Sequence, residues 1–262
     1  MEQLWNLIVY NFIGCLLVFA RVTGIFTFNP IFGRQNVPMR VRVAMSMAFA
    51  VCMLAVTGGS TGFIPQSIPH FVLVLLSEAF FGFVFGVLTN MFLTTLILAG
   101  EATDRQIGMM MANVMDPGTG IQMPVFATVY YYIFVIYFFL TNGHLEYIKL
   151  FALSYSIIPM GFEFTASTLA LTHNIVMYFG TIFVLAAKLA LPVISAGLTV
   201  EICVGVIMKA VPTIQVFVIN IQLKIIFGLF MVFSLARPIS NFIDALLTNM
   251  WGTMDYFLNT FI

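Results

Sequence analysis

The chain offers few side chains that could perform catalytic or metal chemistry, and those it has stand far apart. They are His70, His144 and His173, together with Cys15, Cys52 and Cys203. No histidine has a ligand-like spacing to another histidine or to a cysteine, and isolated cysteines inside apolar runs indicate buried thiols. The sequence also lacks the complete glycine patterns of phosphate loops, dinucleotide-binding folds and nucleophile elbows. We therefore predict that the protein is not an enzyme and has no catalytic residue, metal or cofactor.

Five charged residues lie inside long apolar runs, where a charge needs an explanation. They are Glu78, Lys188, Glu201, Lys209 and Lys224. A charge at the centre of a bilayer costs about 2.5–3.5 kcal/mol on insertion scales. A proton or ion relay would use such residues, lysines near helix ends can reach the headgroups, and partner subunits or a water-filled passage can cover them. The lysine spacing favours the last two interpretations over a relay.

The segment from Gly100 to Pro124 has the most unusual composition. It opens with Glu101, Asp104 and Arg105, of which Glu101 and Arg105 have the i,i+4 spacing of a helical ion pair. Its other notable residues are Gly108, Met109, Met110, Met111, Met115, Asp116, Pro117, Gly118 and Gly120. The Asp-Pro-Gly sequence predicts a β-turn. Methionine is flexible, so the loop could form a deformable seal, although from composition alone simple gap filling is slightly favoured.

The elements that must carry these residues are membrane helices. Of the 262 residues, 61% are hydrophobic and 8% are charged, with ten basic and ten acidic side chains. Soluble domains have roughly 45–50% apolar and about 25% charged residues, so the composition excludes an ordinary soluble enzyme and a disordered chain. The balanced charge excludes a basic surface for nucleic acid. An integral membrane protein of one domain remains.

Because lipid offers no partner to backbone groups, helices are the expected structure and the fold class is all-α. The predicted apolar runs are Leu4–Ala20, Val41–Val56, Phe71–Ala99, Pro124–Thr141, Leu145–Ile157, Thr172–Val211 and Ile214–Ala236, followed by an amphipathic tail over Ile239–Ile262. Gly82 and Gly86 form a small-xxx-small pair that could admit a close neighbouring helix. The basic residues Arg21, Arg34, Arg40 and Arg42 are assigned to one connection, which the positive-inside rule places in the cytoplasm.

Several blocks, in order and at compatible spacing over nearly the whole chain, resemble one family. They are Gly100-Glu101, Gln106-Ile107-Gly108, Asp116-Pro117-Gly118, Met123-Pro124-Val125, Asn142-Gly143-His144-Leu145, Leu189-Ala190-Leu191-Pro192-Val193-Ile194 and Ala210-Val211-Pro212. Pro30, Arg34, Val37-Pro38 and Arg40 resemble the loop after the family's first helix. The sequence is similar to the FliR family of flagellar biosynthetic membrane proteins and to its injectisome counterpart, SctT.

The resemblance implies a single-copy subunit of the flagellar type III export gate, assembled with FliP and FliQ, with FlhB docking on the cytoplasmic side. It implies helical hairpins wound into a spiral, with a FliP-like part at about 1–165 and a FliQ-like part at about 166–262. The location would be the bacterial inner membrane, in the flagellar basal body and partly projecting to the periplasmic side. Sister subunits would then cover the charged positions Lys188, Glu201, Lys209 and Lys224.

The resemblance also implies that the segment of about Gln106 to Gln122 plugs the closed channel until unfolded flagellar proteins pass, with Glu101 and Arg105 on the preceding helix. This favours the sealing role for the methionines. Three alternatives stay open: a secondary transporter or proton channel with Glu78, Glu201 and Lys188 as its relay, a virulence injectisome subunit, and a structural scaffold with a static loop.

Overall fold

The fold is all-α, as predicted, and the described residues also include a short two-stranded ladder. A computed structural model describes residues 2–31, 38–56, 65, 67–109, 114–115, 122–161, 168–210 and 216–260. Within these ranges the helices are α1 Glu2–Phe28, α2 Met39–Val56, α3 Ile68–Ile107, α4 Val125–Leu140, α5 Gly143–Ile157, α6 Thr168–Ala210, α7 Val216–Ser234 and α8 Ala236–Asn259. The strands are β1 Val114–Met115 and β2 Gln122–Met123.

Several helices have the length and composition of membrane spans. Among the described residues, Asn11–Phe28, Ile68–Ile107 and Ile175–Ile207 can each cross a bilayer. Two further pairs of helices, α4 with α5 and α7 with α8, are bent by 71° and 59° at short breaks. Counting each bent pair as one span gives up to five spans, which supports the predicted membrane protein.

The predicted runs are found as helices, but two of them continue well beyond their predicted ends. Helix α1 passes Ala20 to reach Phe28, and α3 passes Ala99 to reach Ile107. The assignment of Arg21 to a connection was therefore wrong, because Arg21 lies within α1 and is completely buried. Hydropathy marked Arg21 as the end of the run, whereas a buried carboxylate on another helix lets the helix continue.

The chain divides into two compact units that are not consecutive halves. The first comprises Met1–Met91, Thr141–Met177 and Asn249–Ile262, and the second comprises Phe92–Leu140 and Tyr178–Thr248. Helix α3 contributes its first part to one unit and its last part to the other. The predicted division at about residue 165 rests on what the family resemblance implies, and it stays a prediction.

The core of the first unit is built from aromatic side chains. The ring of Phe257 lies 5.7 Å from that of Phe81 and 6.1 Å from that of Phe85, which joins the end of α8 to α3. Phe85 also meets Tyr147 of α5 edge to face, at 6.2 Å. These rings bury large apolar areas at favourable aromatic geometries, so α3, α5 and the end of α8 are fixed to one another.

The second unit leaves much of its apolar surface open. Large hydrophobic side chains of α6 and α7 are more than half exposed at Phe179, Phe183, Val184, Leu191, Ile202, Val206, Ile226, Phe230 and Phe233. An apolar surface of this extent is typical of contact with lipid or with other protein subunits.

The predicted amphipathic tail is helix α8, and its apolar face is buried at Ile239, Ile243, Leu246, Met250, Met254 and Leu258.

Candidate functional site

The candidate site is the segment that joins α3 to α4, in the second unit. Helix α3 ends in a left-handed turn at Gly108, whose φ is 83° and whose N–H donates to the carbonyl oxygen of Asp104 at 3.0 Å. This is the αL helix stop that glycine adopts without steric strain. Strand β1 then pairs with β2 in antiparallel register, with Val114 opposite Met123. The chain thus leaves α3, returns on itself and enters α4.

The structure places part of the predicted plug. Gly108 is exposed, Met109 is half-buried, and the backbone of Met115 lies in β1. The remaining predicted residues lie outside the described residues: Met110, Met111, Asp116, Pro117, Gly118 and Gly120. Met109 packs against a buried cluster of Ile107, Phe126 and Val193, so this methionine fills space within the chain's own fold. A sealing role for the methionines stays a prediction.

A buried carboxylate ties the two ends of the loop together. Asp104 of α3 is completely buried, and its Oδ2 accepts the backbone N–H of Phe126 at 2.9 Å. Phe126 is in the first turn of α4, where backbone N–H groups have no partner inside the helix. Gly100 allows the close approach, because a Cβ there would come within 2.3 Å of the backbone nitrogen of Ala127. The end of α3 and the start of α4 therefore hold each other, independently of the loop between them.

Replacing Asp104 with alanine should loosen this junction. The change leaves the buried N–H of Phe126 without its acceptor, and loss of such a cap costs about 1–2 kcal/mol. We expect a lower thermal unfolding midpoint of the purified protein in detergent and faster proteolysis between residues 108 and 124. Asp104→Asn is the matched control, since its amide oxygen can accept the same hydrogen bond. Equal midpoints for both variants and the parent would contradict the cap.

The helix that precedes the loop carries the predicted Glu101–Arg105 pair on its surface. The Nη2 of Arg105 lies 3.9 Å from Oε2 of Glu101, and the side chains are 64% and 37% exposed. The i,i+4 prediction is confirmed, but a pair this open contributes at most a few tenths of a kcal/mol.

The charges of α6 and α7 show two different environments. Lys188 and Lys209 are exposed, whereas Lys224 of α7 forms an ion pair with Glu201 of α6 and is 17% exposed. Residue spacing along one helix does not indicate the Lys224 partner of Glu201, because that contact joins separate helices. Whether partner subunits cover these residues stays a prediction.

The contacts disfavour the transporter alternative. Lys188 and Glu201 are thirteen residues apart on α6, roughly 20 Å along its axis at 1.5 Å per residue. Glu201 is already paired with Lys224, and both carboxylate oxygens of Glu78 are occupied by protein groups. The part of the chain that the structure describes contains no group of three His, Cys, Asp or Glu residues able to hold a metal ion.

The first unit contains a buried ion pair that was not predicted from the sequence. Nε of Arg21 donates to Oε2 of Glu78 at 2.5 Å, and both side chains are 1% exposed. The guanidinium also donates to the carbonyl oxygen of Ile158 at 3.2 and 3.3 Å, and Oε1 of Glu78 accepts the N–H of Gly161 at 3.0 Å. The ring of Tyr155 lies 4.3 Å from the guanidinium carbon. In the sequence, this ion pair is indicated only by an arginine at the end of one apolar run and a glutamate inside another.

Three relatives show how widely the similarity extends. Flagellar biosynthetic protein FliR of Bacillus subtilis (strain 168) is 29% identical over 224 residues, which cover 84% of this chain and 85% of the relative. FliR of Escherichia coli (strain K12) is 25% identical over 240 residues, covering 89% and 88%. The surface presentation of antigens protein SpaR of Shigella flexneri is 21% identical over 216 residues, covering 82% of each chain.

The family comparison covers the same region. Residues 12–250 match the family described as bacterial export proteins, family 1. The range includes the α3–α4 loop, the Asp104 junction and the Arg21–Glu78 pair. Because the match extends over most of the 262 residues, the chain belongs to the bacterial export proteins of family 1.

Proposed function

We propose that this protein is a core subunit of a flagellar type III export gate, in which the segment between α3 and α4 closes the export channel at rest. Membership of an export family and the similarity to proteins named FliR support the export role. The observation that carries the closing role is the fastening of the segment at both ends, by the Gly108 turn and by the Asp104 contact with α4.

The proposed partners are FliP, FliQ and FlhB, and the substrates are unfolded flagellar proteins. Exposed apolar faces on α6 and α7 offer surfaces on which other helical subunits could pack. Within such an assembly the chain would lie in the bacterial inner membrane at the basal body, partly projecting to the periplasmic side. The exposed Lys188 and Lys209 would then contact partner subunits or lipid headgroups.

The test replaces residues 109–121 with a short Gly-Ser linker and leaves Asp104, Ile107 and Phe126 unchanged. We expect small solutes and ions to cross the membrane faster in cells that express the variant, while the subunit still copurifies with FliP and FliQ. The same linker placed in residues 57–64, between α2 and α3, is the control for a generally disturbed chain. Normal tightness of a correctly assembled linker variant would refute the closing role.

Two alternatives are separated by other measurements. Purified chain in liposomes should show no ion or substrate transport if it is an export subunit, whereas a secondary transporter would be active alone. Similarity to SpaR keeps the injectisome alternative open, although the FliR proteins of Bacillus subtilis and Escherichia coli match at higher identity. Flagellar components encoded beside this gene would support the flagellar system, and injectisome components would support the other.

A further inference from the structure

The last turn of α3 rests in a notch that two glycines form on neighbouring helices. Gly197 of α6 faces the side chain of Gln106, and a Cβ at that position would lie 2.5 Å from Cγ of Gln106. Gly228 of α7 faces Ile107, and a Cβ there would lie 2.5 Å from Cγ1 and 2.7 Å from Cδ1 and Cγ2. These distances are below any normal carbon contact, so the notch exists because both positions lack a side chain.

Other glycines on the same helix show that this closeness is local. A Cβ on Gly180 or on Gly205 of α6 would meet no atom within 4 Å. Glycine weakens a helix relative to alanine at all of these positions, but only at Gly197, within this set, does it also make room for a neighbour. Gly180 and Gly205 are therefore matched controls for substitutions in the notch.

The two occupants of the notch differ in how firmly they are held. Ile107 is 2% exposed, belongs to the cluster with Phe126 and Val193, and has a stiff β-branched side chain. Gln106 is flexible, and its Nε2 is buried without a hydrogen-bond partner among the described residues. Ile107 thus supplies the firm packing, while the unpaired amide of Gln106 favours departure to a wetter environment.

The walls of the notch are joined by the ion pair of α6 and α7. Lys224 lines the same small cavity as Gln106, Ile107, Gly197 and Gly228, and it is paired with Glu201. Because the pair joins the two helices that carry the glycines, any movement of α7 away from α6 must disturb both the pair and the notch.

We infer that Gly197 and Gly228 are positioning residues for the closing segment: they hold the end of α3 between α6 and α7, and separation of these helices releases the loop. This inference rests on the proposed closing role of the α3–α4 segment. Control of the loop thus lies in α6 and α7, which do not contain it. One methyl group added at Gly197 or Gly228 changes how these helices pack against α3.

The experiment measures how often the root of the loop leaves the notch in the assembled membrane complex. Met109→Cys, in a chain with Cys15, Cys52 and Cys203 replaced by serine, is labelled with a thiol reagent. Gly228→Ala should raise the labelling rate by roughly 5- to 150-fold, which corresponds to an overpacking penalty of about 1–3 kcal/mol. Gly205→Ala should leave the rate unchanged.

A second substitution tests whether the clash with Ile107 is the cause. Ile107→Ala removes the three side-chain carbons that an alanine at position 228 would meet. The double variant should therefore label no faster than Ile107→Ala alone, a non-additivity expected of residues in direct contact. If Gly228→Ala prevents assembly, Gly197→Ala carries the test, with a smaller increase because Gln106 can move aside. If the assembled Gly228→Ala variant, or Gly197→Ala in its place, is labelled at the same rate as Gly205→Ala, the inference is overturned.

Leakage measurements separate this inference from the proposed function. Gly228→Ala should increase solute leakage above the Gly205→Ala control, and the linker variant should increase it further. Increased leakage of the linker variant alone, with unchanged labelling and leakage of Gly228→Ala, would overturn the notch and leave the closing role intact. Faster labelling of Gly228→Ala, with no leakage from it or from the linker variant, would support the notch and overturn the closing role.

Discussion

Arg21→Met should destabilise the first unit by about 3–5 kcal/mol, the usual result of removing one partner from a buried ion pair. Glu78 would remain 1% exposed with no opposite charge, and the carbonyl oxygen of Ile158 would lose two donors. A natural domain has about 5–15 kcal/mol of total stability, so this loss is a large fraction of it. We expect a much lower amount of chain in the membrane and a lower unfolding midpoint of the purified protein.

Two further variants test whether the uncompensated charge is the cause. Arg21→Met combined with Glu78→Leu should recover part of the loss, because apolar replacement of both members of a buried pair is often close to neutral. Recovery is expected to be incomplete, since Ile158 and Gly161 would still lack their partners. Arg21→Lys should be poorly tolerated, because an ammonium group cannot reproduce the planar guanidinium contacts.

The exposed arginine of the Glu101–Arg105 pair provides the control. Arg105 is 64% exposed at 3.9 Å from its partner, so Arg105→Met should change the free energy of unfolding by less than about 0.5 kcal/mol. A finding that Arg21→Met and Arg105→Met unfold at the same temperature would refute the importance assigned to the buried pair.

The sequence was sufficient to predict α1 to α7, because each contains an apolar run and lipid leaves the backbone no other structure, and to predict α8 as an amphipathic segment. Their ends were harder to predict. Helix α3 continues through the charged residues Glu101, Asp104 and Arg105 to Ile107, since Glu and Arg have helix propensities close to those of Leu and Met. Hydropathy measures the preference for lipid, so the predicted run ends before the first charged residue. The helix itself ends at the glycine turn of Gly108.

The candidate site was found as a segment but not as a structure. Its unusual glycines, methionines and Asp-Pro-Gly turn were visible in the sequence, and Asp104 was recognised only as a charge near its start. The hydrogen bond that fastens the segment joins Asp104 to Phe126, twenty-two residues further along the chain. A contact at that separation depends on how α3 and α4 pack, and local residue patterns contain no information about it.

Arg21 shows how one long-range contact can reverse an interpretation. An arginine at the end of an apolar run is typical of a connection, and it was counted among the cytoplasmic charges. Glu78 lies fifty-seven residues away and supplies the partner that keeps Arg21 inside α1. The orientation predicted from the positive-inside rule therefore rests on Arg34, Arg40 and Arg42 alone. The close helix neighbour predicted from Gly82 and Gly86 is confirmed, although its own glycine, Gly24, was not recognised.

Gly82→Ala should be nearly as damaging as the loss of Arg21, because the same crossing of α1 and α3 creates both features. A Cβ on Gly82 would lie 2.0 Å from the carbonyl oxygen of Arg21, and one on Gly24 would lie 2.4 Å from that of Ala79. Both obstacles are backbone atoms, which cannot move aside as a side chain can. The helices must therefore separate, at a cost of about 3 kcal/mol or more.

Separation would also lengthen the contact between Arg21 and Glu78, which lies one turn from Gly82 on α3. We expect lower membrane abundance and a lower unfolding midpoint for Gly82→Ala, with Gly252→Ala as the control. A Cβ on Gly252 meets nothing within 4 Å, so that change should stabilise α8 by about 0.5–1 kcal/mol through its higher helix propensity. If close backbone contact, and not glycine content, sets the stability of this crossing, Gly82→Ala must lower the unfolding midpoint and Gly252→Ala must raise it.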